Sequence, residues 1–266
     1  MYDFEYMKPL NLSEAAKLLS NDPEAKALAG GMTFIPVLKQ RLNRPSAVID
    51  LNALDLRGIR LEGNKVVIGA MTTHGTVAAS PDVKKAIPAL AYLADNIGDR
   101  QVRYRGTIGG SLANNDPSAC YPSAVLALDA IVKTDRREIS AEDYFQGMFA
   151  TALEPGELIT EVHFPLAERA AYAKFPNPAS RYAMVGVFIA KTKSGVRVAV
   201  TGAGQNGVFR HKAFEEALDR SFTAPALDNI QTSADMLNGD IHGSAEYRAH
   251  LIGVMAKRTV VTALKL

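Results

Sequence analysis

The chain has 266 residues, of which 47% are hydrophobic and 22% charged, and its formal net charge is +2. This length favours two domains over one, and the composition is ordinary for a soluble globular protein. A net charge so close to zero gives no reason to expect a nucleic-acid or membrane-surface partner.

The single cysteine, Cys120, excludes a disulfide framework, a zinc site made of cysteines and an iron–sulfur cluster carried by this chain alone. The N-terminus lacks the basic-then-apolar layout of a signal peptide. The longest apolar run, Ala183–Ala190, is far shorter than the ~20 residues that a membrane helix needs. We therefore expect a cytoplasmic protein without a membrane segment.

The first predicted element is a helix after Asn11, with Glu14 three residues later as in a capping box. A strand over Ala25–Ala29 then runs into Gly30-Gly31, and Thr33 is expected to cap the next helix. A strand, a glycine turn and a helix in this order form an anion site, for which a pyrophosphate is a natural ligand. An ordinary strand-to-helix turn is the alternative.

The middle of the chain alternates between strands and helices. A turn at Glu62-Gly63-Asn64 predicts a hairpin, and Pro81 and Pro88 are expected to break a long helical stretch into pieces. Strands are predicted over Ala47–Leu51, Ile59–Leu61, Lys65–Ala70, Ala130–Val132 and Leu158–Phe164, and helices over Val77–Ile97 and Ser123–Ala130.

A second glycine pair lies in the stretch Thr107–Pro117. Thr107 and Ser111 flank Ile108-Gly109-Gly110, and polar residues follow directly. A run so poor in bulky side chains predicts a loop whose backbone comes close to another group. Two such glycine stretches in one α+β domain could hold a dinucleotide from both sides, whereas two unrelated turns would have no common ligand.

Pro165 closes the preceding strand, and Ala167–Ala171 is predicted to be a connector, where we place a domain boundary. Strands over Tyr182–Lys191 and Val196–Thr201 predict an antiparallel hairpin. The segment Val208–Arg220 and most of Asp228–Leu266 are predicted to be helical.

The stretch Gly202–Gly207 matches the dinucleotide-binding pattern G-x-G-x-x-G. The preceding strand belongs to an antiparallel hairpin, and no later strand presents an acid to a ribose, so we interpret the stretch as a turn. A stand-alone NAD-binding dehydrogenase built on this stretch stays as an alternative function, and so does a non-redox binding module. No zinc-protease, serine-hydrolase or P-loop motif is present.

Three motifs carry a family resemblance: Ala29–Thr33, Gly69–His74 and Thr107–Asn114. With Gly156–Pro165 and Arg181–Gly186, they resemble the FAD-binding medium subunit of the molybdenum hydroxylases. The molybdenum hydroxylases are the family that includes xanthine dehydrogenase and aerobic carbon monoxide dehydrogenase. The resemblance runs over nearly the whole chain.

The resemblance implies an α+β fold. Residues 1–167 would form an FAD-binding domain of the vanillyl-oxidase (PCMH) type, with subdomains of about 1–57 and 58–167. Residues 168–266 would form a smaller α+β domain with an antiparallel sheet and helices.

The resemblance also implies the residues that contact FAD. The first loop, wrapping the pyrophosphate, would be Leu28, Ala29, Gly30, Gly31, Met32, Thr33, Phe34 and Ile35. The second would be Thr107, Ile108, Gly109, Gly110 and Ser111. Further contacts would come from Ile97 and Gln101 in the flavin pocket, from Ile159, Lys174 and Asp116, and from Thr73. A covalent flavin link at His74 is known in the wider fold, but a non-covalent role is favoured here.

One position departs from the family pattern. Relatives usually carry an aspartate, a ribityl or adenosine contact, where this chain has Cys120. Asp116 could replace the contact, or the contact is absent. A buried structural thiol is favoured over a nucleophile at this position.

The implied function is electron transfer, with no catalytic residue or metal site on this chain. Electrons would come from a small iron–sulfur (2Fe-2S) subunit, which receives them from a large molybdopterin subunit. They would leave FAD for NAD, a quinone or oxygen, in a complex expected to be a dimer of heterotrimers. Because a bound cofactor carries the redox chemistry, the absence of an acid–base constellation is expected. Tyr182 and the arginines of Arg100–Arg105 are interpreted as surface or interface groups.

Overall fold

Fourteen β-strands in four sheets and eleven α-helices make up the computed structural model, which describes residues 1–266. The strands are β1 (Glu5–Met7), β2 (Lys26–Leu28), β3 (Ala47–Asp50), β4 (Ile59–Glu62), β5 (Lys65–Gly69), β6 (Ile131–Thr134), β7 (Glu138–Ser140), β8 (Phe145–Gly147), β9 (Ala150–Thr151), β10 (Ile159–Pro165), β11 (Arg169–Pro176), β12 (Ala183–Thr192), β13 (Gly195–Thr201) and β14 (Phe209–Arg210). The helices are α1 (Leu12–Asn21), α2 (Phe34–Lys39), α3 (His74–Ala79), α4 (Pro81–Ala86), α5 (Pro88–Asp95), α6 (Arg100–Arg105), α7 (Ile108–Asn114), α8 (Tyr121–Ala127), α9 (Ala141–Tyr144), α10 (Lys212–Arg220) and α11 (Ala245–Ala263).

The N-terminal sheet is parallel, with the strand order β1-β3-β2. Its central strand β3 is buried throughout, and Ile49 joins Ala15 of α1 in a small apolar core. The predicted cap of α1 is present, because the Asn11 side chain accepts a hydrogen bond from the Glu14 N–H at 2.9 Å. The Glu14 carboxylate reaches back to the N–H of Leu10, also at 2.9 Å.

The second sheet is antiparallel, in the order β4-β5-β10-β6-β7. The predicted β4–β5 hairpin turns at Gly63, whose φ of 58° lies in the left-handed region that favours glycine. Pro81 and Pro88 stand at the first positions of α4 and α5, where a missing N–H costs nothing. The prolines therefore divide the helical stretch as predicted. This sheet and its helices share a core of 32 buried residues with part of the next sheet.

The third sheet, β11-β12-β13-β14, has a different neighbour on each face. Phe188 and Ala199 on one face belong to the large core that contains α8. Val187 and Val198 on the other face pack in a second core with α10 and α11. Because both faces are covered, β12 and β13 are apolar along most of their length.

Ion pairs tie this third sheet to the preceding part of the chain. Arg197 on β13 lies 2.9 Å from Asp129 and 3.0 Å from Glu142. Arg210 on β14 pairs with the same Glu142 and with Glu215 of α10. The sheet is therefore held against the second sheet by charge as well as by apolar packing.

The predicted C-terminal helices are shorter in the structure. Residues 228–243 contain no helix, and only Ala245–Ala263 is helical after them. The prediction of helix over most of Asp228–Leu266 is wrong because tertiary contacts hold the segment. Buried Arg248 donates hydrogen bonds to the carbonyls of Met184 and Gly202 and to the Asp240 carboxylate. No helix, α11 with its 19 residues included, has both the length and the apolar character needed to cross a membrane.

The G-x-G-x-x-G stretch is a turn, as interpreted, but a strand follows it where a helix was predicted. Residues Phe209–Arg210 form β14, which pairs with β13, and α10 begins only at Lys212. Gly202 has a φ of 85°, and a Cβ there would lie 2.3 Å from the Ala183 carbonyl oxygen. These glycines therefore serve backbone packing, and no helix N-terminus stands at the turn to bind a phosphate.

We expect Arg248→Met to lower the free energy of unfolding by about 3 kcal/mol, since it leaves Asp240 and two buried carbonyls without their donor. Exposed Arg258 on the same helix provides the control, and Arg258→Met should change the value by less than about 0.5 kcal/mol. Urea denaturation measures both variants. If Arg248→Met and Arg258→Met had the same free energy of unfolding, the hydrogen bonds of Arg248 would not be what holds residues 228–243.

Candidate functional site

The two glycine stretches meet at one cavity of about 990 Å³. This volume is at the upper end of the range for small-molecule and cofactor sites. The cavity wall contains residues from three parts of the chain: the N-terminal sheet with its helices, the second sheet with its helices, and β11 with the connection to β12. Three distant parts of the chain therefore build the site.

The first stretch turns sharply between β2 and α2. Gly31 has a φ of 76°, and its carbonyl accepts a hydrogen bond from the Ile35 N–H at 2.9 Å. A Cβ added at Gly30 would lie 2.1 Å from the carbonyl oxygen of Arg105. Only glycine fits at this contact, so the first stretch is pressed against the chain that leads into the second. Thr33 stands at the predicted cap position of α2, but its side chain makes no capping hydrogen bond.

The second stretch is the first turn of helix α7, which corrects the prediction of a loop. The Thr107 hydroxyl caps the helix by accepting from the Gly110 N–H at 3.1 Å. Gly109 donates to the carbonyl of Ala70 at 2.8 Å, and a Cβ at Gly109 would lie 2.7 Å from the Ala70 Cβ. Two glycines disfavour a helix locally, but this close packing and the cap override the local preference.

The third motif, Gly69–His74, holds the second stretch in place. Thr73 and Thr107 form an isolated antiparallel bridge, and the His74 N–H donates to the Gly106 carbonyl at 2.9 Å. A Cβ at Gly110 would be only 3.6 Å from the Cβ of Ala29 in the first stretch. The three motifs therefore form one continuous backbone arrangement.

Most residues of the predicted site line the cavity, and five do not. The lining residues are Ala29, Gly30, Gly31, Met32, Thr33, Phe34, Ile97, Thr107, Gly109, Gly110, Ser111, Asp116, Ile159 and Lys174. Leu28 and Ile35 lie beside Gly31, and Ile108 is fully buried in the core. Thr73 caps α3, and the side chain of Gln101 is exposed to solvent.

Tyr182 lines the cavity, although the sequence pattern placed it among surface groups. It is 46% exposed, and burial of the remainder raises the pKa of its hydroxyl above the usual value, with Asp116 and Cys120 adding to the effect. Tyr182 follows Arg181, which has a left-handed φ of 62°. The sequence contains no local signal that brings this turn to glycines more than 70 positions away.

Lys174 contributes positive charge to the cavity wall. Its ammonium donates hydrogen bonds to the carbonyls of Asn96 and, at 3.1 Å, Arg181, and it lies 3.7 Å from the Cys120 Sγ. No carboxylate pairs with it. An aspartate in place of Cys120 would offer a counter-ion here, so the cysteine leaves the Lys174 charge available to a ligand.

His74 lines the cavity and contains a buried polar atom without a partner. The side chain is buried, and its Nδ1 has no hydrogen-bond partner in the chain. Burial, reinforced by the positive charge of Arg103, lowers the pKa of His74 to about 4. The imidazole is therefore neutral at physiological pH. A buried polar atom without a partner is what a bound ligand would satisfy.

Comparison with known proteins gives a consistent result. A family described as the FAD binding domain in molybdopterin dehydrogenase matches residues 2–167. The nicotine 6-hydroxylase medium subunit of Paenarthrobacter nicotinovorans is 36% identical, covering 97% of this chain and 96% of that protein. The carbon monoxide dehydrogenase medium chain of Afipia carboxidovorans is 34% identical, covering 98% and 96%.

Solved structures agree with the sequence matches. Reconstituted CO dehydrogenase from Oligotropha carboxidovorans superposes with a TM-score of 0.90 at 32% identity, over 98% of both chains. Quinoline 2-oxidoreductase from Pseudomonas putida 86 gives 0.89 at 28% identity, over 99% of this chain and 98% of that one. The predicted fold class, an α+β FAD-binding fold with a C-terminal sheet-and-helix part, is confirmed.

The buried histidine predicts a pH dependence of stability. Between pH 6.5 and pH 4 the unfolded chain binds a proton at His74 that the folded chain does not, so stability falls as the pH is lowered. Over this window the wild type should lose about 3 kcal/mol more than His74→Gln. Urea denaturation at both pH values measures the difference.

Exposed His250 on α11 provides the control for this measurement. The variant His250→Gln should follow the wild type across the same pH window. A His74→Gln variant that loses as much stability as the wild type would show that the buried imidazole is not held neutral.

Proposed function

Because the chain belongs to the family of FAD binding domains in molybdopterin dehydrogenases, we propose that it is the electron-transfer flavoprotein subunit of such a complex. The observation that carries the proposal is the meeting of Gly30-Gly31 and Gly109-Gly110 at one cavity of about 990 Å³. The predicted family, its FAD cofactor and its oxidoreductase class are confirmed by the matches.

The residues present fit FAD. The backbone of Gly30–Phe34 would hold the pyrophosphate, because a turn without side chains at Gly30 and Gly31 lets N–H groups approach phosphate oxygens. Thr107 and Ser111 would contact the same ligand from the start of α7. The Nδ1 of His74, a residue of the cavity wall, has no partner in the chain and would be free to accept or donate a hydrogen bond once the cavity is filled.

The C-terminal part would complete the pocket. Bound FAD supplies the redox chemistry, since its ring accepts and releases electrons singly or in pairs. Ile97 and Ile159 line the cavity and would provide apolar walls beside the ring. The three N–H groups of Lys174 are directed at the Asn96 and Arg181 carbonyls and at the Cys120 Sγ, so Lys174 would act on the cofactor through its positive charge. The half-exposed Tyr182 would cover one side of the cofactor. None of these residues needs to transfer a proton in this proposal.

The partners follow from the family. Relatives at 36% and 34% identity are named medium subunit and medium chain, which implies smaller and larger companions in those complexes. We infer for this chain a small subunit with 2Fe-2S clusters and a large molybdopterin subunit. The single cysteine accords with clusters on a partner. A dimer of heterotrimers in the cytoplasm, with NAD, a quinone or oxygen as acceptor, completes the proposal.

The substrate chemistry belongs to another subunit in this proposal. Relatives that span almost the whole chain are named after carbon monoxide, nicotine and glyceraldehyde, although they share one type of medium subunit. Such variety is expected where the subunit handles electrons and not the substrate.

We also propose the domain division at residue 167, with subdomains of about 1–57 and 58–167. The apolar cores support it in part: the core of 17 buried residues lies wholly within 168–266, and six of the eight residues of the smallest core lie within 1–57. The core of 32 buried residues crosses residue 167, because Tyr172, Phe188, Ala190 and Ala199 belong to it. The alternative NAD site at Gly202–Gly207 has no support, because β14 follows the turn and no helix N-terminus faces it. No observation favours a non-redox binding module.

The proposal is tested by Gly110→Asp. The added Cβ would lie 2.9 Å from the Thr107 hydroxyl and 3.6 Å from the Ala29 Cβ, and the carboxylate would repel a pyrophosphate, so bound FAD should fall by about tenfold. Flavin released on denaturation is measured per mole of chain, and the thermal midpoint reports folding. Gly253→Asp is the matched control, because Gly253 is also helical and has nothing within 4 Å of its Cβ position.

The control variant should keep the FAD content of the wild type. Gly110→Ala, which adds a Cβ without charge, should lose less flavin than Gly110→Asp. Full FAD retention in a folded Gly110→Asp variant would place the cofactor elsewhere, and a wild-type complex without flavin would refute the function itself.

A further inference from the structure

A second, shallower depression of about 1300 Å³ lies on the opposite side of α6 from the cofactor cavity. We call it the α6 groove. Five cationic side chains and only two carboxylates line it, the cations being Arg57, Lys84, Arg100, Arg103 and Arg105. The groove is therefore strongly positive although the chain as a whole is close to neutral.

Two guanidinium groups in the α6 groove have no partner. Arg100 and Arg105 are exposed and make neither a side-chain hydrogen bond nor an ion pair, unlike Arg103, which lies 3.4 Å from Asp95. Two tyrosines lie beside them, Tyr92 at 56% and Tyr104 at 77% exposure. Exposed tyrosine together with arginine is the composition typical of protein–protein interfaces.

The groove shares a wall with the cofactor cavity. Arg103 lines the groove and donates hydrogen bonds at 3.2 Å to the carbonyls of Ile97 and Gly98, which line the cavity. At the other end of α6, the Arg105 carbonyl lies against Gly30 of the first glycine stretch. A molecule seated in the groove is therefore separated from the cavity by one layer of backbone.

We propose that the α6 groove is the docking surface for the iron–sulfur subunit, through a segment of that subunit rich in carboxylates. This inference rests on the proposed function, because an electron donor must bind close to the flavin. The open, shallow form favours a protein over a small molecule, which would be more enclosed. The unpaired Arg100 and Arg105 would pair with the carboxylates, and Tyr104 would pack at the centre of the contact.

The test is a charge reversal in the complete complex, Arg100→Glu with Arg105→Glu. The complex is purified through a tag on this chain, and the iron retained per chain is measured at increasing NaCl concentrations. Half of the iron–sulfur subunit should dissociate at a salt concentration about threefold lower than in the wild type, since the contact is electrostatic and screened by salt. Tyr104→Ser should weaken the contact without changing its charge.

The control reverses two exposed, unpaired arginines elsewhere, Arg220→Glu with Arg258→Glu on α10 and α11. This variant should keep the wild-type salt dependence. FAD content separates the two proposals, because docking can fail while flavin stays bound. If the Arg100→Glu, Arg105→Glu variant keeps its FAD and retains as much iron as the wild type at every salt concentration, the α6 groove is not the docking surface. If the same variant keeps its iron–sulfur subunit but reduces an anionic acceptor such as NAD more slowly than the wild type, the docking proposal is also wrong. The α6 groove would then be the binding site of the acceptor.

Discussion

The site depends on one close contact between two backbones. The carbonyl of Arg105 occupies the space where any side chain at Gly30 would begin, 2.1 Å from the Cβ position. This contact brings the turn after β2 against the end of α6, and α7 starts three residues later. Without it, the two glycine stretches would not face a common cavity. The contact thus links the N-terminal unit to the second sheet at the place where the cofactor is needed.

The part of the chain after residue 167 contributes a charged side chain, Lys174, and an aromatic side chain, Tyr182, to the cavity wall. The part before it contributes the backbone of the two glycine stretches. Lys174 is held by main-chain carbonyls and not by a carboxylate, and its neighbour is the thiol of Cys120. A neutral neighbour leaves the ammonium without a counter-ion, so its field acts on whatever fills the cavity. With cysteine where the family resemblance implies an aspartate, the pocket therefore holds no counter-ion for Lys174 at this position.

Helix α6 connects the proposed cofactor cavity with the proposed docking surface. Helix α6 has one side towards the cavity and the other towards the α6 groove, and Arg103 contacts both through the carbonyls of Ile97 and Gly98. The same Arg103 charge helps to keep buried His74 neutral. A subunit docked in the groove would thus alter the electrostatic environment of the cavity without entering it.

The sequence by itself determined the features that depend on neighbouring residues. The cap at Asn11, the turn at Gly63 and the breaks at Pro81 and Pro88 follow from interactions within a few positions. The motifs of the glycine stretches also identified the family. Tertiary structure alone decided that Ile108–Asn114 is a helix, capped by Thr107 and packed on Ala70, and that residues 228–243 are irregular around Arg248. It also brought Lys174 to Asn96, 78 positions away, because contacts between distant segments leave no local pattern in the sequence.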